Sequence, residues 1–564
     1  MKKMKVSLLV MLAAILLLTA CNSGKNEDAG KGTPAGTASQ SPSGSGQASP
    51  ETIDPMAKYE DPVTFNIGYY VPDEYKWPEE ALTDNEYTQL YEDRFNIRFK
   101  HAFEVPHGGI EQKINLLISS NDIPDVLVVT EAQFKLLAES DMLEDLTQAY
   151  ADYATPTLKK LYDDFGQEFM RRVTYDGKLL GLPSTTPARN NDAVVWIRRD
   201  WLKNVNIDLP DVIGMADLEK VAKAFIEEDP DQNGKKDTYG IQSTSAFVTN
   251  SMGYNTLDLL FTAYKSFPKI WTKDAGGNIV YGSLTPETKE ALGAIRDLYA
   301  KGLIDPEFGT IKKDQFAKDI NAGKAGITMG QSWSSIAFPD SVKNDPKADW
   351  NAHILTAADG KYYSRQPNPL GNIIVVKKGV KNPEAIVKIT NLMAEMDNRK
   401  PGSPTVYADT TGTTWTVRPL QVQIREKNTF SDRIKHLQEA AEGKYDVANL
   451  PANDVKIFED YKKGYEALKA EPSAWAFVIY MFNGGKVVLS PLTQEVYSEF
   501  FGITEGMETK WANLTKLEDE AFMRIIVGDK PLDYFDTFVQ DWKKQGGDQI
   551  TKEVQAEIVR LSGN

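Results

Sequence analysis

Apolar and polar positions change period several times along the chain, and each change marks an element. Residues 63–70, "VTFNIGYY", form a dense apolar run with the length of a buried strand. "YTQLYEDRF" then spaces its apolar residues as a helix face does, and "NIRFKHAF" returns to a strand pattern. The order repeats: "EQKINLLISS" predicts a helix, and "IPDVLVV" closes on an apolar strand at its last four residues. Further on, "DLEKVAKAFIEE" sets Leu218, Val221, Ala222 and Phe225 at i, i+3, i+4 and i+7, the signature of an amphipathic helix. "FDTFVQDWKKQGG" does the same with Phe535, Phe538, Val539 and Trp542, and Gly546 with Gly547 stops it. Strands alternating with helices predict an α/β fold, a mostly parallel sheet flanked by helices. A chain of 564 residues exceeds what one core holds, about 250–300 residues, so more than one compact unit is expected.

The first residues follow a different logic. "MKKMKVSLLVMLAAILLLTAC" has a basic tip (Lys2, Lys3, Lys5) and an apolar run over residues 6–18. The run is short for a bilayer span and suits a secretory signal. It ends in Leu18-Thr19-Ala20-Cys21, which resembles a bacterial lipobox, so residues 1–20 are expected to be a signal peptide and Cys21 the lipidated (palmitate-bearing) new N-terminus. Cys21 is the only cysteine, which leaves no intrachain disulfide in a chain expected to be exported. The next stretch, counted with Cys21 as 21–56, is rich in Gly, Ser, Pro, Ala and Thr and carries little to bury, so it is expected to be a disordered tether. No second apolar span and no internal repeat follow.

Charge removes several function classes. The formal net charge is −16, from 64 Lys plus Arg against 80 Asp plus Glu, with no basic run. Such a surface repels phosphate backbones, so nucleic acid is not an expected partner. It also leaves membrane attachment to the lipid at Cys21 rather than to a basic patch. The four histidines, His101, His107, His353 and His436, are scattered and lack zinc spacing. There is no G-x-S-x-G elbow and no P-loop. "IRRD", residues 197–200, is read as a structural salt-bridge site.

One loop carries candidate metal chemistry. In "EEDPDQNGKKDTYG", residues 227–240, oxygen-bearing side chains fall at Asp229, Asp231, Asn233 and Asp237, with Gly234 at the bend and the Lys235 carbonyl in the backbone-ligand slot. Ca²⁺ takes six to eight hard oxygens from such a tightly turning loop. A sensor hand would need Glu at the twelfth position, and Gly240 stands there. The expectation is a structural Ca²⁺ clip, with Thr238 next in line for the shell.

Several segments together resemble the family 1 extracellular solute-binding lipoproteins, the sugar-capturing components of ABC importers. They are "LISSNDIPDVLVV", "LAESDMLEDLTQAY", "YDGKLLGLP", "VVWIRRDWLKNVNIDLP", "DPDQNGKKDTYGI", "LYAKGLIDPEF", "NAGKAGITMGQSW" and "LEDEAFMRIIVGDKPLDYFDTFVQDWKKQGGDQITKEV", in order behind the lipobox. The length and the calcium-like loop are most similar to the oligosaccharide-binding subgroup, whose members close the calcium shell with an acidic residue where this chain has Thr238. The resemblance implies a two-lobed periplasmic-binding-protein-like fold that traps ligand in a central cleft by hinge closure. By analogy an N-terminal lobe takes residues 57–185 and 353–410, and a C-terminal lobe 186–352 and 411–564. It implies no catalysis, a monomer, and the permease of an ABC transporter as partner at the outer face of the cell membrane.

Sugar rings stack their C–H faces on aromatics and offer hydroxyls to planar polar groups. Trp333 in "GITMGQSW" is the leading ligand-binding candidate, because in relatives that segment enters the cleft. Tyr70 follows, just past the first strand, where open α/β sheets bind ligands. Asp73 and Trp77 share its loop, and Trp271, Trp415 and Arg365 complete the set. Two rival functions remain at this stage: a surface glycoside hydrolase or lyase, and a ligand sensor partnering a sensor kinase.

Overall fold

The computed structural model describes residues 53–71, 82–399 and 417–562. Two apolar cores form, each around a five-stranded sheet. The first sheet runs in the order Ile97–Pro106, Val63–Val71, Val126–Val129, Leu370–Val376, Leu182–Thr185. Its first three strands are parallel, and Leu370–Val376 is antiparallel to both neighbours. The second runs Val212–Ile213, Trp350–Leu355, Ala193–Arg198, Ala325–Gln331, Tyr239–Gln242. There Ala193–Arg198 is antiparallel on both sides. The sheets are therefore mixed, where the alternation of elements predicted mostly parallel ones. In each sheet the strand antiparallel to both neighbours is one the chain enters from the other lobe: Leu370–Val376 in the first and Ala193–Arg198 in the second.

Burial follows from the residues. Ala193–Arg198 and Ala325–Gln331 are buried at every position, as central strands covered on both faces are. In Val63–Val71, Phe65, Ile67 and Tyr69 are buried and Thr64 and Asn66 are exposed, the period-two alternation of a strand with one covered face. The helix Met215–Glu227 buries Leu218, Val221, Ala222 and Phe225, the stripe its spacing predicts. Leu218, Val221 and Phe225 each contribute about 1.5–3 kcal/mol by leaving water, and Ala222 less. Tyr534–Trp542 buries Phe535, Phe538 and Trp542, and Gly546, at φ 129, breaks the run beyond it.

Strand ends turn directly into helices through side-chain caps. Thr130 follows Val126–Val129 and accepts from the Gln133 N–H at 3.3 Å, while the Gln133 side chain accepts from the Thr130 N–H at 3.1 Å. This reciprocal box starts the helix Glu131–Glu139 at the end of its strand. Asn85 caps Glu86–Phe95 in the same way and also donates to the Val417 carbonyl at 3.0 Å.

The lobe boundaries differ from those implied by analogy. The strand Trp350–Leu355 belongs to the second sheet, where His353 pairs with Val195, so the chain does not regain the first lobe at 353. It does so at Leu370, the first strand residue bonded into the first sheet. The first core then keeps Val417, Leu420, Val422 and Ile424, and the second core resumes at Phe430, beyond the boundary of 410. Among the described residues no helix is long and apolar enough to cross a membrane.

Candidate ligand-binding cleft

Three chain passages join the two cores, and backbone bonds lace them together. The Thr185 N–H donates to the Gln423 carbonyl at 3.1 Å, Thr186 to Pro369 at 2.8 Å, and Ala188 to Lys427 at 2.9 Å. The Arg189 N–H donates to Gln366 Oε1 at 2.8 Å. Beside this lacing Asp192 is fully buried. It accepts from Ser364 Oγ at 2.6 Å, Gln366 Nε2 at 3.1 Å and Arg189 Nε. Burial raises its carboxyl, and the Arg189 charge and these hydrogen bonds oppose the rise. These bonds tie the three passages side by side where the chain crosses between the cores.

Strand ends from both lobes face the hinge. On the first lobe Tyr70 is the last but one residue of Val63–Val71, its backbone exchanging bonds with the Gln421 side chain at 3.3 and 2.9 Å. Its ring lies 4.6 Å from that of His107, and burial raises its hydroxyl pKa. On the second lobe Ala325–Gln331 runs into Ser332 and Trp333. The Trp333 ring lies parallel to Tyr254, 3° between planes and 5.9 Å between centroids, and stays half-buried. Glycine at 484 fixes this turn, since a Cβ there would meet the Ser332 carbonyl at 2.6 Å. Tyr254 was not among the sequence candidates; it sits in an irregular segment with no periodicity to single it out.

A cavity of about 590 Å³ opens between the lobes. Leu136 of the first lobe faces Trp271, Trp511, Phe500 and Phe501 of the second, with Asn368 on a crossing passage. Trp271 and Trp511 stack at 23° and 6.2 Å, and Tyr281 packs against both. Polar contacts bridge the lobes at this mouth. Lys135 Nζ reaches Glu508 Oε1 at 3.4 Å, and the Arg172 guanidinium lies 5.8 Å from the Phe501 ring. Arg172 is itself clamped by Glu131 at 2.5 and 2.8 Å and donates to Asn368 at 2.9 Å. Apolar walls with a few fixed polar groups are how small-molecule sites are commonly built. Trp511, Phe500 and Phe501 escaped sequence reading because their common surface exists only once a helix and a loop pack together.

Other sequence candidates fare differently. Arg365 does not face ligand. Its side chain is fully buried, donating to the Thr249 carbonyl at 2.5 Å, the Pro268 carbonyl at 2.7 Å and Asp258. Its expected ligand role is therefore corrected to a structural ion pair inside the second lobe. Trp271 is almost wholly buried, although it lines the cavity. Asp73, Trp77, Trp415 and Cys21 lie outside the described residues.

The calcium-like loop joins Met215–Glu227 to Tyr239–Gln242. Asp229 stands at φ 51 and Gly234 at φ 77. Asp229 accepts from the N–H groups of Asn233 and Gly234 at 3.2 and 3.0 Å, and Asn233 Oδ1 accepts from the Lys235 N–H at 2.7 Å. The Asn233 amide nitrogen bonds Asp231 at 2.7 Å and Asp237 at 3.1 Å, so these side chains converge on one point. Burial, then the neighbouring Asp229, raises the Asp231 carboxyl. No cluster of three acidic, His or Cys groups among the described residues has the geometry of a formed metal shell. Thr238 is corrected out of the ligand set: it is buried, and its hydroxyl donates to the Phe225 carbonyl at 2.5 Å, closing the preceding helix.

Residues 86–403 match the family model described as bacterial extracellular solute-binding protein. The chain belongs to this family. Among its relatives, the polygalacturonan/rhamnogalacturonan-binding protein YtcQ of Bacillus subtilis is 24% identical over 454 residues, covering 80% of this chain and 84% of the relative. Lipoprotein LipO of the same organism is 24% identical over 458 residues, covering 80% and 84%. In structure, the substrate-binding protein FusA of Streptococcus pneumoniae in complex with kestose superposes at TM-score 0.60 and 17% identity, over 89% of this chain and 100% of that one. An EF-hand mutant of the same protein with fructo-nystose superposes at 0.59, with 17% identity and the same coverage. This solute-binding protein has the two-lobed fold of those neighbours. It binds ligand rather than transforming it, and the hydrolase or lyase reading is set aside on that ground.

Proposed function

We propose that this solute-binding protein captures an oligosaccharide between its lobes and hands it to the permease of an ABC transporter. The observation that carries the reading is the interlobe cavity. Its aromatic wall of Trp511, Phe500 and Phe501 suits the C–H faces of sugar rings, and Asn250, Asn368 and Lys269 supply hydroxyl partners. Two lobes joined by three laced passages suit capture by closure. The pectic ligands named for YtcQ and the fructose oligomer bound to FusA support a saccharide ligand of more than one ring. Trp333 with Tyr254, and Tyr70, extend the binding surface along the strand ends.

Two further parts belong to this reading. Cys21 carries the lipid that holds the protein at the outer face of the cell membrane, a role supported by the lipobox and by the relative LipO. Asp229, Asp231, Asn233, Asp237 and the Lys235 carbonyl hold Ca²⁺ as a structural clip. The donor set is all hard oxygen, and the backbone already points the Asp229 and Asn233 side chains into the loop. The ion would offset the crowding of three carboxylates. The protein works as a monomer. Titrating the mature chain with defined pectic and fructose oligosaccharides, followed by tryptophan fluorescence, tests the function. One class saturates the signal and is recovered intact; a flat response to every class defeats the reading.

A further inference from the structure

Arg425 lies in the third crossing passage. Its main chain is pinned to the first lobe by Thr185, whose hydroxyl contacts the Arg425 N–H and carbonyl, each at 2.7 Å. Its side chain is not pinned. Nε is sealed from solvent without a hydrogen-bond partner, and among the described residues no carboxylate pairs with the guanidinium. The nearby acids are already engaged. Asp397 takes two bonds from Arg418, at 2.6 and 3.1 Å, and one from the Ile424 N–H at 2.7 Å. Asp454 takes Arg399 at 3.0 Å and Arg433 at 2.7 Å. Burial, followed by the like charges of Arg433, Arg399 and Arg418, holds the Arg425 guanidinium below the usual arginine range against the pull of Asp397.

A guanidinium does not lose its proton in a protein, and a sealed, unpaired charge weighs heavily against folding. Arg425 is half-buried as a residue, and only its Nε is both sealed and without a partner, so what exposure it keeps lies beyond Nε. We propose that Arg425 is an oxyanion-binding residue at the hinge, taking a carboxylate or phosphate-type group through its planar fork. The surrounding groups come from both lobes: Asp397 and Arg418 from the first, Arg433 and Tyr480 from the second. An anion seated there would favour one setting of the hinge. Gln421, which holds Tyr70 at the strand end, lies four residues upstream, so the acidic group of a sugar in the cleft is one source. Free inorganic oxyanion is the other. Only the sugar source rests on the proposed oligosaccharide function.

The test uses the mature chain in chloride buffer at fixed pH and ionic strength, with sodium phosphate, digalacturonate and a neutral disaccharide as separate probes. Thermal melts and isothermal titration are read for wild type, Arg425→Gln and Arg425→Lys. The expected result is a saturable rise in melting temperature with phosphate or digalacturonate. That rise is lost in Arg425→Gln and at least ten-fold weaker in titration for Arg425→Lys, which keeps the charge and loses the fork. Without anion, Arg425→Gln melts higher than wild type, because it removes the unpaired charge. Response to digalacturonate alone assigns the sugar source, and response to phosphate the inorganic one. No saturable response to either anion, or an equal response in Arg425→Gln, overturns the proposal. A failure to bind the neutral disaccharide bears on the oligosaccharide reading and leaves the oxyanion site standing.

Discussion

Glu518 is fully buried in the second lobe, accepting from Ser283 Oγ at 2.8 Å and Tyr281 OH at 3.0 Å. Burial outweighs Lys269 and those bonds and raises its carboxyl from 4.5 to about 7. The folded state thus holds this proton more tightly than the unfolded state. Its contribution is fully present below pH 4.5 and is lost as pH rises through about 7, roughly 3 kcal/mol in all. Melts from pH 5 to 8 are expected to fall for wild type, and Glu518→Gln is expected to flatten that fall. Arg365 gives a second expectation at this scale. Arg365→Met leaves Asp258 buried without its counter-charge, held only by donors from Thr249, Gly253 and Thr256, which costs up to about 3–5 kcal/mol in urea unfolding. Trp333→Ala, by contrast, is expected to weaken ligand binding about ten-fold and to cost less stability than Arg365→Met, because Trp333 is only half-buried. Sequence made aromatic candidates visible but not their surroundings. Trp333 and Arg365 both follow strand-like runs, and only the packing of distant residues 249, 258 and 268 separates a binding residue from a buried ion pair.

Elements were legible where one periodicity decides them. The stripe of Met215–Glu227 and the stop at Gly546 stand where the spacing puts them, because local propensity and burial agree there. Strand direction was not legible. Leu370–Val376 and Ala193–Arg198 are apolar runs whether parallel or antiparallel, and the path of the chain between lobes decides. The calcium-like loop lies between these cases. Its oxygen spacing was evident in sequence, yet the fate of Thr238 depended on where the preceding helix ends. If the loop holds Ca²⁺, chelation lowers the melting temperature by several degrees and leaves ligand affinity nearly unchanged. Asp237→Ala should abolish that sensitivity. In chelator, Asp231→Asn is expected to melt higher than wild type, since burial and Asp229 already disfavour its charge.

Across the whole molecule, two cores, three tied passages and one aromatic cavity make a device for holding a solute between rigid bodies. Length was enough to expect more than one compact unit, and the expectation of two lobes came from the family resemblance. The crossing points were not legible, because Trp350–Leu355 and Leu370–Val376 are equally apolar and belong to different sheets. The exposed Lys135–Glu508 pair at the mouth contributes about 0–1 kcal/mol, so its loss is expected to change stability little. Capture of an oligosaccharide without chemistry is checked by isothermal titration of the mature chain with defined oligosaccharides, with chromatography of the recovered sugar. Saturable one-site binding to one class is expected, with the sugar returned at full length. Shortened products, or no heat with any class, would overturn this function.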